Sequence, residues 1–211
     1  MRRRNNANNQ PTPWLTGKRI TMRPLREEDF AQWKEVRLAN EEWLLKWEPL
    51  RPANAPDPVR DRSAFLVRCD ARRRDRQAGI GFSFGVFVDD QFAGEMNLSS
   101  IHRGAHQSAY VGYWIDHRHA GNGYTPEALV VLLEFGFEEL NLHRLQISII
   151  PRNSASRRVV EKLDIRAEGV AERYLQINGV WEDHIRFAMT SEEWADRKAD
   201  LMPAWLAVSP E

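Results

Sequence analysis

The stretch "SAYVGYWIDHRHAGNGYTPEALVVLLEFGFEELNLHRLQISII", Ser108 to Ile150, constrains the fold of this chain more than any other. "SAYVGYWID" reads as a strand. A loop with two glycines follows. Then comes "PEALVVLLEFGFEEL", an apolar run long enough for a helix, with Thr125 as its cap and Pro126 as a first helical residue. "HRLQISII" closes the unit as an apolar strand with little alternation, the pattern of one buried on both faces. Such a unit calls for a sheet covered by helices.

The flanks complete the layers. "KRITMRPL" alternates and predicts a first strand. "REEDFAQWKEVRLAN" puts Phe30, Trp33 and Arg37 at helical spacing, with acids in the first turn. "EEWLLKWEPL" predicts a short helix stopped at Pro49, and "PLRPANAPDPVR", with its four prolines, a loop. "DRSAFLVRCDARRR" predicts another helix; "FSFGVFVDD" and "QFAGEMNLSSI" predict two strands joined by a polar turn. Beyond Ile150, "NSASRRVVEKL" predicts a helix, and "AERYLQI" and "VWEDHIRFAM" a hairpin about Asn178-Gly179, a type I′ pair. "SEEWADRKADLMPAW" predicts a closing helix. The order strand, helices, three strands, helix, strand, helix, two strands gives an α+β fold with a mostly antiparallel sheet. The 211 residues suit one domain, read over 17–211 behind a flexible basic arm, 1–16, that has no apolar period.

Composition removes several classes. Hydrophobic residues make 42% and charged residues 28%, as in soluble globular proteins. Lys+Arg and Asp+Glu number 30 each, so the whole chain carries no nucleic-acid signature, and "RCDARRRDRQ" reads as solvated surface. The single cysteine, Cys69, rules out an intrachain disulfide and a multi-Cys metal site and reads as a half-buried helix residue. No run is apolar enough for a membrane span, and no h-region follows the N-terminal arginines, so the cytoplasm is expected. His117-x-His119 lacks a third ligand, so no metal is expected.

The loop "HRHAGNGYTPEAL" stands at a helix N-terminus, where backbone N–H groups and the positive helix end receive phosphate. A P-loop needs Lys-Ser/Thr after Gly123, and a dinucleotide fingerprint needs a glycine where Pro126 stands; both fail. Arg118-x-x-Gly121-x-Gly123 remains, followed by Tyr124 and Thr125. An ordinary strand-to-helix turn, whose glycines merely permit positive φ, explains the loop equally.

On a strand–loop–helix, this Arg-x-x-Gly-x-Gly motif resembles the pyrophosphate loop of the GNAT superfamily of acetyl-CoA-dependent N-acetyltransferases. "PRNSASRRVVEKL" resembles that superfamily's N-x-x-S-x-x-V-x-E-K-L helix, with Asn153 and Ser156 at the matching positions. "NEEWLLKWEP" resembles the tryptophan segment, and "AEGVAERYLQINGVWEDHIRFAMTSEEW" the C-terminal hairpin, of the RimJ/RimL-type ribosomal-protein-alanine acetyltransferases. The matches run from Arg19 to Trp194. The chain departs from the pattern at Leu163-Asp164-Ile165, where L-G-F is usual; Asp tolerates the left-handed helix end that glycine serves there.

The resemblance implies a GNAT fold: a mixed, mostly antiparallel sheet of about seven strands flanked by helices, with splayed central strands. It implies acetyl transfer from acetyl-CoA to an amine by direct attack in a ternary complex, the acceptor being the N-terminal α-amine of a polypeptide such as a ribosomal protein. Pantetheine amides would pair with the strand edge at Trp114, Ile115 and Asp116. The N–H groups of Gly121, Asn122, Gly123, Tyr124 and Thr125 would take the pyrophosphate, with Arg118 adding charge or bracing the loop. Asn153 would bond the cofactor or loop backbone, or cap its own helix. Ser156 would protonate or bind the departing thiolate, or cap the backbone. Tyr174 is the alternative proton donor or a wall of the acceptor site. The Glu/Tyr pair of some members is absent, since the matching positions hold Ser148 and Val160. Glu95, in the apolar "FAGEMNL", is the candidate base if burial raises its pKa; a structural partner for an arginine is the other reading. An α-amine has a pKa of ~7.7–8.0, so on the order of a tenth is neutral at pH 7, and a water relay could suffice. Trp33, Trp43 and Trp47 would line core or groove, with Trp47-Glu48 near the amine. Two other functions stay open: acetylation of a small-molecule amine (antibiotic, amino acid or polyamine), and a non-catalytic acyl-CoA-binding or ribosome-associated role.

Overall fold

The structure is a computed structural model that describes residues 13–206. In chain order it holds β1 (Leu15–Thr16), β2 (Ile20–Arg23), α1 (Phe30–Ala39), α2 (Glu41–Leu45), α3 (Arg62–Ala78), β3 (Phe82–Val88), β4 (Gln91–His102), β5 (Ser108–Ile115), α4 (Tyr124–Glu134), β6 (Arg144–Ile149), α5 (Ser154–Lys162), β7 (Arg166–Ile177), β8 (Val180–Thr190) and α6 (Ser191–Trp205). The expected arm lies outside the described residues as far as residue 12. Its last two residues, Leu15 and Thr16, are β1, which brings the sheet to eight strands rather than about seven.

The strands form one sheet in the order β1-β2-β3-β4-β5-β6-β8-β7, antiparallel except for β5 and β6. Both faces are covered. β3 is buried on each side: Phe84, Val86 and Val88 join the core under α4, α5 and α6, while Phe87 joins Trp33, Val36 and Phe65 under α1 and α3. α4 is buried from Pro126 to Leu133, which accounts for its apolar sequence on every side. Each fully buried side chain such as Leu129 or Leu132 contributes roughly 1.5–3 kcal/mol relative to exposure.

One break in the ladder positions everything that follows. β5 pairs with β4 as far as Ile115, but it pairs with β6 only from Ser108 to Val111, opposite Arg144 to Ile147. Past Val111 the central strands part, as the splay was expected to do, and Gly112 to Ile115 keep an edge that β6 does not cover.

α4 starts at Tyr124 with Gly123, not Thr125, at its cap, and two other ends follow their residues. Asp164 takes φ 47 after α5, the left-handed conformation expected there. Asn178 and Gly179 take φ 46 and 82, the signature of a type I′ turn. β7 begins at Arg166, well before "AERYLQI". It is an exposed edge strand interrupted between Ala167 and Gly169 and again between Ala171 and Leu175, so it has no clean alternation to read.

Candidate active site

Where β5 and β6 part, a cleft of about 1100 Å³ is lined from both faces of the sheet. On the α4 and α5 side stand Tyr113, Ile115, Gly121, Gly123, Tyr124, Thr125, Asn153 and Ser156. Gly121 and Gly123 take φ 84 and 85, and a Cβ on Gly121 would meet nothing, so the demand there is conformational and not one of space. The N–H groups of Tyr124 and Thr125 have no protein partner among the described residues. The loop therefore presents free donors at the positive end of a buried helix.

Asn153 lines the cleft and also caps α5, its side chain accepting from the Ser156 N–H at 3.1 Å. The Ser156 carbonyl accepts from the Tyr113 hydroxyl at 3.0 Å, which ties β5 to α5 across the cleft. Burial pushes the Tyr113 phenol up, so it stays a neutral donor.

One loop expectation is corrected, and two other loop residues stand outside the cleft lining. Asp116 is fully buried and off the free edge: its N–H donates to Ala93 O at 2.7 Å, and its carboxylate accepts from Arg118 Nε at 2.8 Å and Asn40 Nδ2 at 3.0 Å. Burial alone would raise that carboxyl, but the bonds from Arg118 and Asn40 hold it below the usual range. Arg118 does not line the cleft; it braces Asp116. Asn122 does not line the cleft either, and its carbonyl accepts from Arg19 Nη1 at 3.0 Å.

Two residues missed in the sequence hold this loop. Arg19 donates its N–H and Nε to Glu127 at 2.6 and 2.8 Å and lays its guanidinium 4.7 Å from the Tyr124 ring centre. A glutamate inside the apolar run of α4 was the signal, because a buried carboxylate needs a partner. Asn40, fully buried at the end of α1, bonds Asp116 and the His117 N–H. It is the first residue of the quoted tryptophan segment.

The other face of the cleft is walled by Trp33, Trp43, Trp47 and Trp114. Glu48 is not free to meet an amine: Arg37 holds it bidentately at 2.6 and 2.8 Å. The tip of the β7–β8 hairpin closes on this wall, Asn178 N–H donating to Glu48 O at 2.9 Å. Gly112 faces the cleft, and a Cβ there would meet nothing within 4 Å. Asn97, its cross-strand partner, has a buried Oδ1 with no partner, and Ser148 Oγ is likewise buried and unpartnered.

Glu95 reverses the expectation made for it. It is 1% exposed and lines the cleft, but Trp33 Nε1 donates to it at 2.7 Å, Arg68 Nη2 at 2.7 and 2.8 Å, and Arg72 Nη1 at 2.6 Å. Burial would raise its pKa; the charges of Arg68 and Arg72 and the Trp33 bond outweigh it and hold the carboxyl down to about 2. The reading of Glu95 as a partner for arginines is the one the geometry matches. Tyr174 does not line the cleft. It lies on β7, the outermost strand, edge-on to His184 at 5.8 Å and beneath the Arg186 guanidinium at 5.7 Å.

Among the described residues, no group of three or more His, Cys, Asp or Glu is placed to hold a metal ion, and no helix is long and apolar enough to cross a membrane.

Residues 19–166 match the acetyltransferase (GNAT) domain family. The chain is 34% identical over 172 residues to the probable N-acetyltransferase YjcK of Bacillus subtilis, covering 81% of this chain and 93% of that protein. It is 29% identical over 188 residues to the ribosomal protein uS5-alanine N-acetyltransferase of Escherichia coli, covering 88% and 95%. The solved structure of Mycobacterium smegmatis RimJ in complex with CoA-disulfide matches with a TM-score of 0.82 at 29% identity, over 94% of this chain and 95% of that one. With the domain match running from β2 into β7 and these relatives aligned over nearly their full length, the chain belongs to the GNAT family of acetyltransferases, as a member of the RimJ/RimL type.

Proposed function

We propose that the protein transfers the acetyl group of acetyl-CoA to the N-terminal α-amine of a polypeptide, with ribosomal proteins first among the candidates, in the cytoplasm. The observation that carries this is the parting of β5 from β6 after Val111, with a glycine loop of free N–H donors on one side and a tryptophan-walled cavity on the other. The ribosomal protein uS5-alanine N-acetyltransferase among the relatives supports the acceptor.

The residues fit acetyl-CoA. The uncovered backbone from Gly112 to Ile115 suits the pantetheine amides, and the N–H groups from Gly121 to Thr125 suit the pyrophosphate. When bound, acetyl-CoA supplies an activated acetyl thioester at the opening. The chain positions and shields: Arg118, Asp116 and Asn40 fix the loop to α1, and Tyr113 fixes α5, so that Ser156 stands at the cleft as proton donor to the leaving thiolate.

Deprotonation of the acceptor falls to water. A carboxylate with a pKa of about 2 takes up almost no protons at neutral pH, so Glu95 organises the floor and does not act as the base. An α-amine is neutral to about a tenth at pH 7 and needs little help, whereas a lysine amine at ~10.4 is neutral to well under ~0.1%. That difference favours an N-terminal acceptor over a side-chain one.

The test is intact-mass and tandem mass spectrometry of ribosomal proteins incubated with acetyl-CoA, with and without the enzyme. One or more protein N-termini should gain an acetyl group; if none does, the polypeptide acceptor is wrong.

A further inference from the structure

The acceptor half of the cleft holds more positive charge than its own acids balance. Near the rim Arg37 pairs with Glu48 at 2.6 Å and Arg51 with Asp57 at 2.9 Å, and Arg60, outside the lining, also reaches Asp57 at 3.5 Å. On the floor two lining arginines meet one acid. Arg68 and Arg72 share the single carboxylate of Glu95, at 2.7 and 2.6 Å, which leaves one positive charge in excess. Both guanidiniums line the cleft with side chains 23% and 24% exposed. Arg72 gives Glu95 only Nη1; its Nε and Nη2 have no protein partner among the described residues. Glu95 offers nothing more, since Trp33 and Arg68 already occupy its oxygens.

A guanidinium edge left free beside bulk water means little. This one lies in a cavity walled by Trp33 and Trp114, where screening by water is reduced and a charge-assisted bond is correspondingly stronger. A second unused group stands beside it. Asn97 Oδ1 is buried without a partner, opposite Gly112, where the sheet opens. It is an acceptor for an N–H. Asn97 and Glu95 are two residues apart on one face of β4, roughly 7 Å along the strand. The floor thus offers an N–H acceptor at the opening and an unfilled cationic fork about two residues of extended chain away.

We propose that the cleft selects amine acceptors that carry an anionic group close to the amine: the carboxylate of an aspartate or glutamate within the first three residues of the polypeptide, received by the free edge of Arg72 and the excess charge of the Arg68–Arg72 pair. This rests on the acceptor reading proposed above. If the two arginines served only to hold Glu95, acceptor charge would make no difference.

The experiment compares kcat/KM, with acetyl-CoA, for matched acceptors that differ only in a glutamate or a glutamine at the second or third residue. Each pair is made both as a ten-residue peptide and as a capped di- or tripeptide amide. The wild-type protein should prefer the acidic member by about tenfold or more. The preference should collapse in Arg72→Gln, where Glu95 keeps Arg68 and Trp33, and persist in part in Arg72→Lys. It should be unchanged in Arg74→Gln, an exposed arginine of α3 that does not line the cleft. Equal rates for acidic and neutral acceptors in the wild-type protein would overturn the proposal, as would failure of every acidic acceptor in both formats. Acetylation of the short acidic amides but of no longer peptide would retain it and remove the polypeptide acceptor instead.

Discussion

At the residue scale, Glu95 shows how far burial alone misleads. Its sequence context, a lone carboxylate in an apolar strand, predicts a raised pKa. Two arginines from α3 and a tryptophan from α1 reverse the sign, and no local pattern encodes their arrival. Replacing Glu95 by Gln should therefore act first on stability. Removing one member of this buried cluster leaves Arg68 and Arg72 facing each other, at a cost of roughly 3 kcal/mol, read as a lower denaturant midpoint. The pH dependence has a definite sign. With the folded pKa near 2 and the unfolded one at the usual glutamate value, this stabilisation is full above about pH 4.3 and is lost as pH falls towards 2. The Gln variant should lack that part of the acid unfolding curve. Gly121 was legible where Glu95 was not, because its φ of 84 is a conformation that glycine permits by itself, with no distant partner. In Gly121→Glu a side chain strained in the left-handed region sets a negative charge at the phosphate site. Calorimetry should detect no acetyl-CoA binding while circular dichroism reports a folded protein; retained affinity would misplace the loop.

At the element scale, the order and type of nearly all strands and helices were legible, since their apolar periods are long. What was not legible is which ends meet. Tyr174 was read as an alternative proton donor or a wall of the acceptor site, yet sheet order sets β7 outside β8, two strands from the opening. Asp116 was read as free edge, yet the β4–β5 ladder runs one bond further, to Ala93, and takes its N–H. Arg19 makes the same point for the loop. It comes from the bend just before β2 and clamps α4 through Glu127, more than a hundred residues away in the chain. In Arg19→Ala the buried Glu127 carboxylate keeps only the backbone N–H of residue 19. With Arg19 itself about half exposed, the expected cost is about 1–2 kcal/mol, together with a roughly tenfold loss of acetyl-CoA affinity as the loop loosens. Thermal unfolding and calorimetry read the two effects separately. A loss of stability with unaltered affinity would show that Arg19 supports the helix but not the loop.

At the scale of the whole molecule, the sheet, the loop and the tryptophan wall converge on one opening whose lining carboxylates, among the described residues, are all paired with arginines. Against the effect of burial, two arginines and Trp33 hold the Glu95 pKa down to about 2, Arg37 occupies Glu48, and Asp116 is buried in the loop brace. A fold built this way leaves the proton to the acceptor's own equilibrium with water, so the pH dependence of the reaction should belong to the acceptor. With a peptide acceptor, kcat/KM should rise tenfold per pH unit and level off near the peptide's α-amine pKa, ~7.7–8.0 for an ordinary N-terminus. Two acceptors whose α-amines differ in pKa should give inflections displaced by the same difference. A side chain of the protein acting as base would give an inflection that stays in place when the acceptor changes. An inflection shared by every acceptor would identify such a group, and His119, which lines the cleft beside the loop, would be the first residue to replace.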